Sequence, residues 1–460
     1  MRTLRETVVG VDVGTTSIKA VALDLDGSLL GSASAPTTWN VSDSGEVQVD
    51  IDHLADAAIA VIAEAAESVG SDVRLIGIGI TGLAETGVVI DAHGAPVTPA
   101  IAWYDQRGAE ELAALPDDFR SEFSAVTGLA AKAECSFSKL LWMRGHGYDG
   151  LGRLTWLNAL EYIGYRLTGE LGTEPSLASR TGLLDQLVVG PWAATLDLIG
   201  AGTGFLPPMV AAGTSLGAAS ASAPAILRGA AVTVAGHDHL VNSVGAGAYG
   251  GDDLFDSCGT ADVILRTVPR TLSNEERARL VGLGLSAGRH VLTGSTAMLG
   301  ATRSGLVLGR ILSILGARTR NERRRIADTW HPGDARVSTV LVSEPGGWTN
   351  EVTVQLRENA TPEQVWAAAM NYVLDETSAI VDAVTGIAGP YETAVAAGGW
   401  AHLDGVYRGK AHIMPGLVVS DVEQAGARGA AMFAARAAGV DTGSLVQGFL
   451  TQVTTKELVT

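Results

Sequence analysis

Val9-Gly10-Val11-Asp12-Val13-Gly14-Thr15-Thr16-Ser17-Ile18-Lys19-Ala20-Val21-Ala22-Leu23-Asp24 joins two apolar runs through a polar turn. Val9, Val11 and Val13 alternate with smaller or polar residues, as do Ile18, Ala20, Ala22 and Asp24 beyond the turn. That alternation predicts the two strands of a hairpin. Gly14 is expected to let the turn bend at positive φ. Successive backbone N–H groups there would form a small anion-binding concavity, and the Thr15, Thr16 and Ser17 hydroxyls add donors. Asp12 and Lys19 set one charge of each sign beside it. An ordinary surface hairpin fits the same residues, so the rest of the chain must decide.

A chain of 460 residues is too long for one compact core and predicts two domains. Its 47% hydrophobic and 18% charged residues fit a globular protein rather than a disordered one. The net charge of −18 opposes any general affinity for nucleic acid. An anionic nucleotide would therefore need local donors and a metal ion. The two cysteines, Cys135 and Cys258, supply neither a disulfide framework nor a cysteine-rich metal site. Met1-Arg2-Thr3-Leu4-Arg5-Glu6 runs into the first strand without an apolar leader, and no uncharged run approaches the ~20 residues that span a bilayer. A cytoplasmic protein without a membrane partner is expected.

Further along, Asp52 is expected to cap a helix from His53 to Val69, and Leu75 to Ile80 to form a buried strand. Gly77, Gly79 and Gly82 spell the dinucleotide fingerprint, but Val88 to Asp91 reads as another strand where the fingerprint requires a helix. Close packing in a sheet explains those glycines better. Glu85 sits in the turn between the two apolar runs, where a hydroxylated ligand or bulk water could meet it. Trp103, Asp105 and Arg107 offer an apolar face beside forked donors and acceptors, which suits a carbohydrate or a plain strand-end ion pair. Helical pieces are expected at Ser138 to Met143 and Leu154 to Leu167, with a stop at Gly169. Thr173 to Asp185 reads as a polar loop.

Ala231 to Gly236 predicts a buried strand opening onto His237-Asp238-His239, with a helix from Leu240. A charged triplet flanked by apolar residues points to catalysis or ligation. As a zinc site it lacks further ligands at a convincing spacing. The chain then echoes its opening: Asp256-Ser257-Cys258-Gly259-Thr260 is a second Gly-Thr turn between apolar runs. Two such hairpins predict two similar domains, 1–246 and 247–460, facing each other across a cleft, with coincidence as the alternative. The arginine-rich run from Arg318 to Arg325 reads as a solvated helix face. Thr361-Pro362-Glu363-Gln364 is a capping box opening a helix through Val384. Ala394 to Ala397 is a strand ending at Gly398-Gly399, where a flat ring could lie on bare backbone. Val422 to Ala437 is an alanine-rich helix whose Gly426 and Gly429 permit close approach.

In this order the motifs resemble the FGGY carbohydrate kinases, of the sugar kinase, heat-shock ATPase and actin fold group. The resemblance runs from Val8 to Gly439. It rests on Gly10 to Asp24, Ala100 to Arg107, Leu167 to Glu170, Ala178 to Asp185, Gly236 to Asp238, Gly259-Thr260, Gly398-Gly399 and Glu423 to Gly439. It implies an α/β fold of two ribonuclease-H-like domains with ATP in the cleft. By the resemblance, Asp12 holds Mg²⁺, and Gly14, Thr15, Thr16, Ser17 and Lys19 meet the transferred phosphate. Gly259 and Thr260 would bind the nucleotide phosphates, while Gly305, Gly398 and Gly399 line the adenosine pocket. Asp238 matches the catalytic base, and Glu85, Trp103, Asp105 and His239 are the expected sugar contacts. Many relatives form dimers, so a homodimer is a family-level expectation.

The resemblance thins at the substrate. Glycerol kinases carry an Arg-Glu pair where this chain has Ala84-Glu85, and a Tyr where it has Glu134 or Cys135. The Met-His of xylulokinases is absent, and His239 replaces the usual Gln or Asn. Glu85 with His239 favours hydroxyl recognition, which points to a neutral ketose or polyol of about four to six carbons. A sugar-binding regulator without turnover, or another ATPase of the fold group, is the alternative.

Overall fold

The computed structural model describes residues 4–70, 72–148, 150–333, 336–343, 351–451 and 453–454. The opening Met1-Arg2-Thr3 lies outside them. The chain divides into two compact units, the first comprising Met1–Gly251, Val268–Ala297 and Val422–Thr451. The second comprises Asp252–Thr267, Met298–Asp421 and Gln452–Thr460. The compact units differ from a split into 1–246 and 247–460 in that Val268–Ala297 and Val422–Thr451 pack with the first.

In the first unit the opening hairpin forms as expected: β1 (Arg5–Val13) and β2 (Ser17–Asp24) pair antiparallel, with Asp12 opposite Lys19. Strand β3 (Leu29–Pro36) continues the meander on β2. Helix α1 (Ile51–Glu67) starts earlier than the sequence implies. Asp50 caps it, accepting from the Asp52 and His53 amides at 3.1 Å each, because Ile51 is apolar enough to join the buried face. Strand β4 (Val73–Gly82) runs parallel to β1, and β5 (Gly87–Ile90) follows the turn that carries Glu85.

Leu154 to Leu167 is not one helix. Thr155–Asn158 is a strand, β6, paired antiparallel with β5, and α2 (Ala159–Thr168) begins after it. Asn158 ends the strand and caps the helix, in a box closed by Glu161. The region read as a polar loop contains a short helix, α3 (Pro175–Arg180), because Glu174 accepts from the Ser176 amide at 2.8 Å and the Leu177 amide at 3.2 Å. Strand β7 (Ala231–His237) runs parallel to β4 and opens directly onto α4 (Asp238–Gly245). The main sheet is ordered β7-β4-β1-β2-β3, with a two-residue edge strand, Gly217–Ala218, beyond β7.

The second unit repeats this plan. Its strands β8 (Asp253–Cys258) and β9 (Asp262–Val268) form the second hairpin, and β10 (Thr296–Thr302) lies beside β9. Helix α5 (Ser304–Ile314) follows, then the long α6 (Pro362–Ala388) behind the capping box of Thr361 and Gln364. Strand β11 (Thr393–Ala397) lies parallel to β8, α7 (Asp404–Ile413) follows it, and β12 (Leu417–Ser420) lies parallel to β11. The five central strands of this sheet, β12-β11-β8-β9-β10, follow the order of β7-β4-β1-β2-β3 in the first sheet, with Ser286–Arg289 and Val453–Thr454 added at the edges. No described helix is long and apolar enough to cross a membrane.

The chain then returns to the first unit as α8 (Ala425–Ala437), which lies across β1 and β4. The glycines of the false fingerprint explain how close it comes. A Cβ at Gly79 would sit 1.9 Å from the Ala430 carbonyl oxygen, one at Gly77 2.5 Å from that of Ala434, and one at Gly10 1.9 Å from that of Ala427. Backbone contact of this kind cannot yield to a side-chain rotation. Gly79→Ala is expected to lower unfolding stability by at least ~3 kcal/mol. A denaturant midpoint equal to wild type would show that sheet and helix can separate freely.

Candidate active site

The first cluster of interest grows from the end of β1. Asp12 stands opposite Thr81 of β4, which in turn stands beside Gly236 of β7. Its Oδ1 is buried without a hydrogen-bond partner. Burial, helped by the Asp238 carboxylate and opposed by Lys19, pushes the Asp12 carboxyl up to about 7. Room for it comes from α8: a Cβ at Gly426 would lie 2.7 Å from Asp12 Oδ2. A half-buried carboxylate with an orphaned oxygen is what a hard divalent cation would satisfy.

The turn after Asp12 differs in one respect from expectation. Gly14 is not left-handed; its value is space, since a Cβ would sit 3.2 Å from the Ser17 carbonyl oxygen. The Gly14 amide donates to that same carbonyl at 3.1 Å, which takes it away from an anion. The Thr15 and Thr16 amides have no hydrogen-bond partner among the described residues. Two indoles brace the turn: Trp39 Nε1 donates to the Thr15 carbonyl at 2.7 Å, and Trp103 Nε1 to its hydroxyl at 3.1 Å. Trp103 is thus a wall of the turn as well as a flat face.

Asp238 is the first residue of α4, set by a corner that only glycine allows. Gly236 has φ of 110°, and a Cβ there would meet Ser176 Oγ at 2.6 Å and Glu174 Oε2 at 2.7 Å. The Thr81 hydroxyl donates to the Gly236 carbonyl at 2.7 Å, and the His237 amide donates to Ser176 Oγ at 3.0 Å. Asp238 Oδ1 accepts from the His239 amide at 2.6 Å and lies 3.1 Å from His237 Nε2 and 4.0 Å from His239 Nε2. Burial raises the Asp238 carboxyl, but the two imidazoles and the His239 amide outweigh it and hold it well below the usual range. Burial lowers the His239 imidazole, with Asp238 and Glu85 pulling it back. Behind the corner, burial pushes Glu161 up to about 7 and Glu174 up to about 8.

Glu85 has a partner that sequence reasoning missed. Arg180, at the end of α3, donates through Nε to Glu85 Oε1 at 2.7 Å and through Nη1 to Ser286 Oγ at 3.1 Å. Both Glu85 and Arg180 act on the His239 imidazole, in opposite directions. The turn carrying Glu85 is fixed by Ser136, whose hydroxyl donates to the Glu85 carbonyl at 2.7 Å, and by Asn158, whose amide donates to the Thr86 carbonyl at 3.0 Å. Arg180 belongs to the Ala178–Asp185 stretch already in view, but reading that stretch as a loop hid where its side chain goes.

Asp105 corrects another expectation. Its Oδ1 accepts from the Arg107 amide at 2.8 Å and Arg107 Nε at 2.9 Å, and its Oδ2 from the Val47 amide at 2.5 Å and Arg107 Nη2 at 3.0 Å. These bonds overcome burial and lower its carboxyl. With every lone pair committed, Asp105 locks the Trp103 segment in place and offers nothing to a ligand.

In the second unit the turn Gly259-Thr260 meets the start of α5. The Leu306 amide donates to the Thr260 carbonyl at 2.9 Å, and a Cβ at Gly305 would fall 1.9 Å from the Gly259 carbonyl oxygen and 2.6 Å from Trp400 Nε1. Gly398 has φ of 105° and packs on the Cys258 backbone, while a Cβ at Gly399 would meet nothing within 4 Å. Gly259, Gly305 and Gly398 are therefore neighbours, with Trp400 beside them. Under the turn, buried Lys410 donates to Asp256 Oδ2 at 2.5 Å and Asp262 Oδ2 at 2.6 Å. Burial pushes Asp262 up to about 6, and the carboxylates keep Lys410 firmly protonated against burial.

Two units with matching sheets, each bearing a Gly-Thr hairpin, define the two-domain fold of the actin-like ATPases. The chain belongs to the FGGY family of carbohydrate kinases, whose N-terminal domain matches residues 7–245. It is 28% identical over 273 residues to L-fuculokinase of Escherichia coli (strain K12), covering 57% of this chain and 56% of that protein. It is 27% identical over 305 residues to glycerol kinase of Thermococcus onnurineus (strain NA1), covering 64% of this chain and 61% of that protein. The chain thus spans little more than half the length of these curated relatives. The structure of a xylulose kinase from Rhodospirillum rubrum superposes with a TM-score of 0.85 at 25% identity, over 99% of this chain and 94% of that one.

Proposed function

We propose that this chain transfers the terminal phosphate of ATP to a hydroxyl of a neutral ketose or polyol of about four to six carbons. The observation that carries the reading is the Asp238 corner: an ionised carboxylate, fixed by His237 and the His239 amide, at the mouth of a strand–helix junction in a carbohydrate-kinase chain. An alcohol is a weak nucleophile, and Asp238 accepts its proton as the oxygen attacks. Glu85 and Arg180 orient the acceptor's hydroxyls, with His239 as neutral partner and Trp103 as flat face. Glu85 Oε2 and Arg180 Nη2 have no hydrogen-bond partner among the described residues, leaving one acceptor and one donor side by side for a ligand.

The Thr15 and Thr16 amides and the hydroxyls of Thr16 and Ser17 hold the transferred phosphate, with Lys19 adding charge. In the second unit, Gly259 and Thr260 take the other phosphates, and Gly305, Gly398 and Gly399 leave backbone bare for the nucleoside. Mg²⁺ fits at Asp12, whose orphaned oxygen supplies a ligand, and it would neutralise phosphate charge there.

The test is ATP consumption against a panel of ketoses, alditols and aldonic acids in Mg²⁺. We expect neutral four- to six-carbon acceptors to stimulate turnover at least ~10-fold over the sugar-free rate, a modest bar for a positioned acceptor. Sugar binding without turnover would replace this reading with that of a regulator, and a preference for aldonic acids would remove the neutral-acceptor assignment.

A further inference from the structure

One cluster does more than its assigned role requires. His237 Nε2, Asp238 Oδ1 and His239 Nε2 belong to three consecutive residues, and their ligand atoms lie within 4.8 Å of one another. From the carboxylate oxygen, the imidazole nitrogens stand at 3.1 Å and 4.0 Å. Ligands at ~2.0–2.1 Å around a tetrahedral zinc sit roughly 3.3 Å apart, so little movement would close the three upon an ion. The rings meet edge to face, with centroids 5.2 Å apart, and each carries its Nε2 within 4.0 Å of Asp238 Oδ1. The side chains of Asp238 and His239 are 30% and 39% exposed, while that of His237 is 7% exposed, so an ion can enter from one side against a fixed wall.

We infer that His237, Asp238 and His239 form a reversible transition-metal site, suited to a borderline-soft divalent ion such as Zn²⁺, that closes the acceptor site when filled. Sequence spacing argues against a four-ligand structural zinc, but three protein ligands with an open fourth position need no further residue. Imidazole nitrogen selects Zn²⁺, Co²⁺ or Ni²⁺, whereas Mg²⁺ takes oxygens and favours Asp12, so the two sites differ in chemistry. The structure also bears on strength. His237 Nδ1 is buried without a partner, so its proton has no acceptor when Nε2 binds a metal. Loss of that outer hydrogen bond typically costs about 10–100-fold in affinity, which makes the ion an inhibitor that comes and goes rather than a resident cofactor. The inhibition, though not the binding, rests on Asp238 being the proton acceptor: a carboxylate bonded to a metal cannot take the alcohol's proton.

The test begins without substrate. Chelator-treated full-length protein is titrated with Co²⁺ in excess Mg²⁺ while visible d–d absorption is followed. We expect a low-symmetry band that saturates at one Co²⁺ per chain, yields to Zn²⁺ and persists in Mg²⁺. His239→Gln and, separately, His239→Asn should each weaken binding at least ~10-fold, as loss of one ligand in three predicts, with the fold checked by circular dichroism. His402→Gln, in the second unit, should leave it unchanged. Absence of the band, or a band indifferent to both His239 variants, overturns the site. Should the sugar panel fail while Co²⁺ binds, the kinase reading falls and the site stands; turnover without Co²⁺ binding has the opposite meaning. Where both hold, Zn²⁺ should inhibit competitively with the sugar and release on chelation. Competition with ATP instead would overturn the placement.

Discussion

Asp238→Asn is expected to lower kcat by ~10³–10⁴-fold while the dissociation constant for ATP stays within about twofold of wild type. The geometry makes the substitution clean. Asn keeps the oxygen that accepts the His239 amide and, with its amide turned outward, retains the shape of the corner. What it loses is a lone pair able to take a proton. In wild type, Asp238 lies well below the usual carboxyl range, so it is ionised throughout the neutral region and no rise in its charge should limit the rate near pH 7. Single-turnover phosphate transfer, with ATP binding measured separately, separates the two effects. Near-wild-type turnover in Asp238→Asn would remove Asp238 from the role.

Asp12→Asn should be nearly as damaging to turnover, by ~10²–10³-fold, and should move stability in the opposite direction. The sign follows from the carboxyl's position at about 7 in the fold against its ordinary value near 4. Below the ordinary value both states hold the proton and the fold suffers no penalty. As pH rises from there through about 7, the unfolded chain releases a proton that the fold retains, so stability falls. The carboxylate is only half-buried, which reduces the loss to about 2 kcal/mol. Without metal, the Asn variant should therefore melt higher than wild type at pH 8 and equally at pH 4. Mg²⁺ should raise the wild-type melting temperature at pH 8 and leave the variant's unmoved. A variant that still responds to Mg²⁺ would place the ion elsewhere.

Much of this is legible in the sequence. Alternation of Val9, Val11 and Val13 with smaller residues revealed the β1–β2 hairpin, although β1 is buried on both faces, with α8 against the small ones. The echo at Gly259-Thr260 revealed its partner, and the missing helix after Gly82 exposed the false fingerprint. The failures share a cause. The polar stretch from Thr173 folds as a helix because buried Glu174 caps it, and burial of an acid cannot be read from composition. Arg180 meets Glu85 across 95 positions, so no local pattern links them. Asp105 looked like a ligand because its type suits sugars, yet four donors from Arg107 and Val47 consume it. The cap at Asp50, rather than Asp52, turned on whether Ile51 would be buried.

The lid on the first unit's sheet is α8, and it is made from residues 425–437. A ribosome finishes β1, β4 and β7 long before it reaches that helix. At synthesis speeds of about 5–20 residues per second, the interval between residue 251 and residue 437 is roughly ten to forty seconds. Throughout that time the glycine-paved face that later receives Ala427, Ala430 and Ala434 stands open to whatever else is in solution. That face of the sheet can be covered only once residue 437 has been made, so the head of the chain is completed by its own tail.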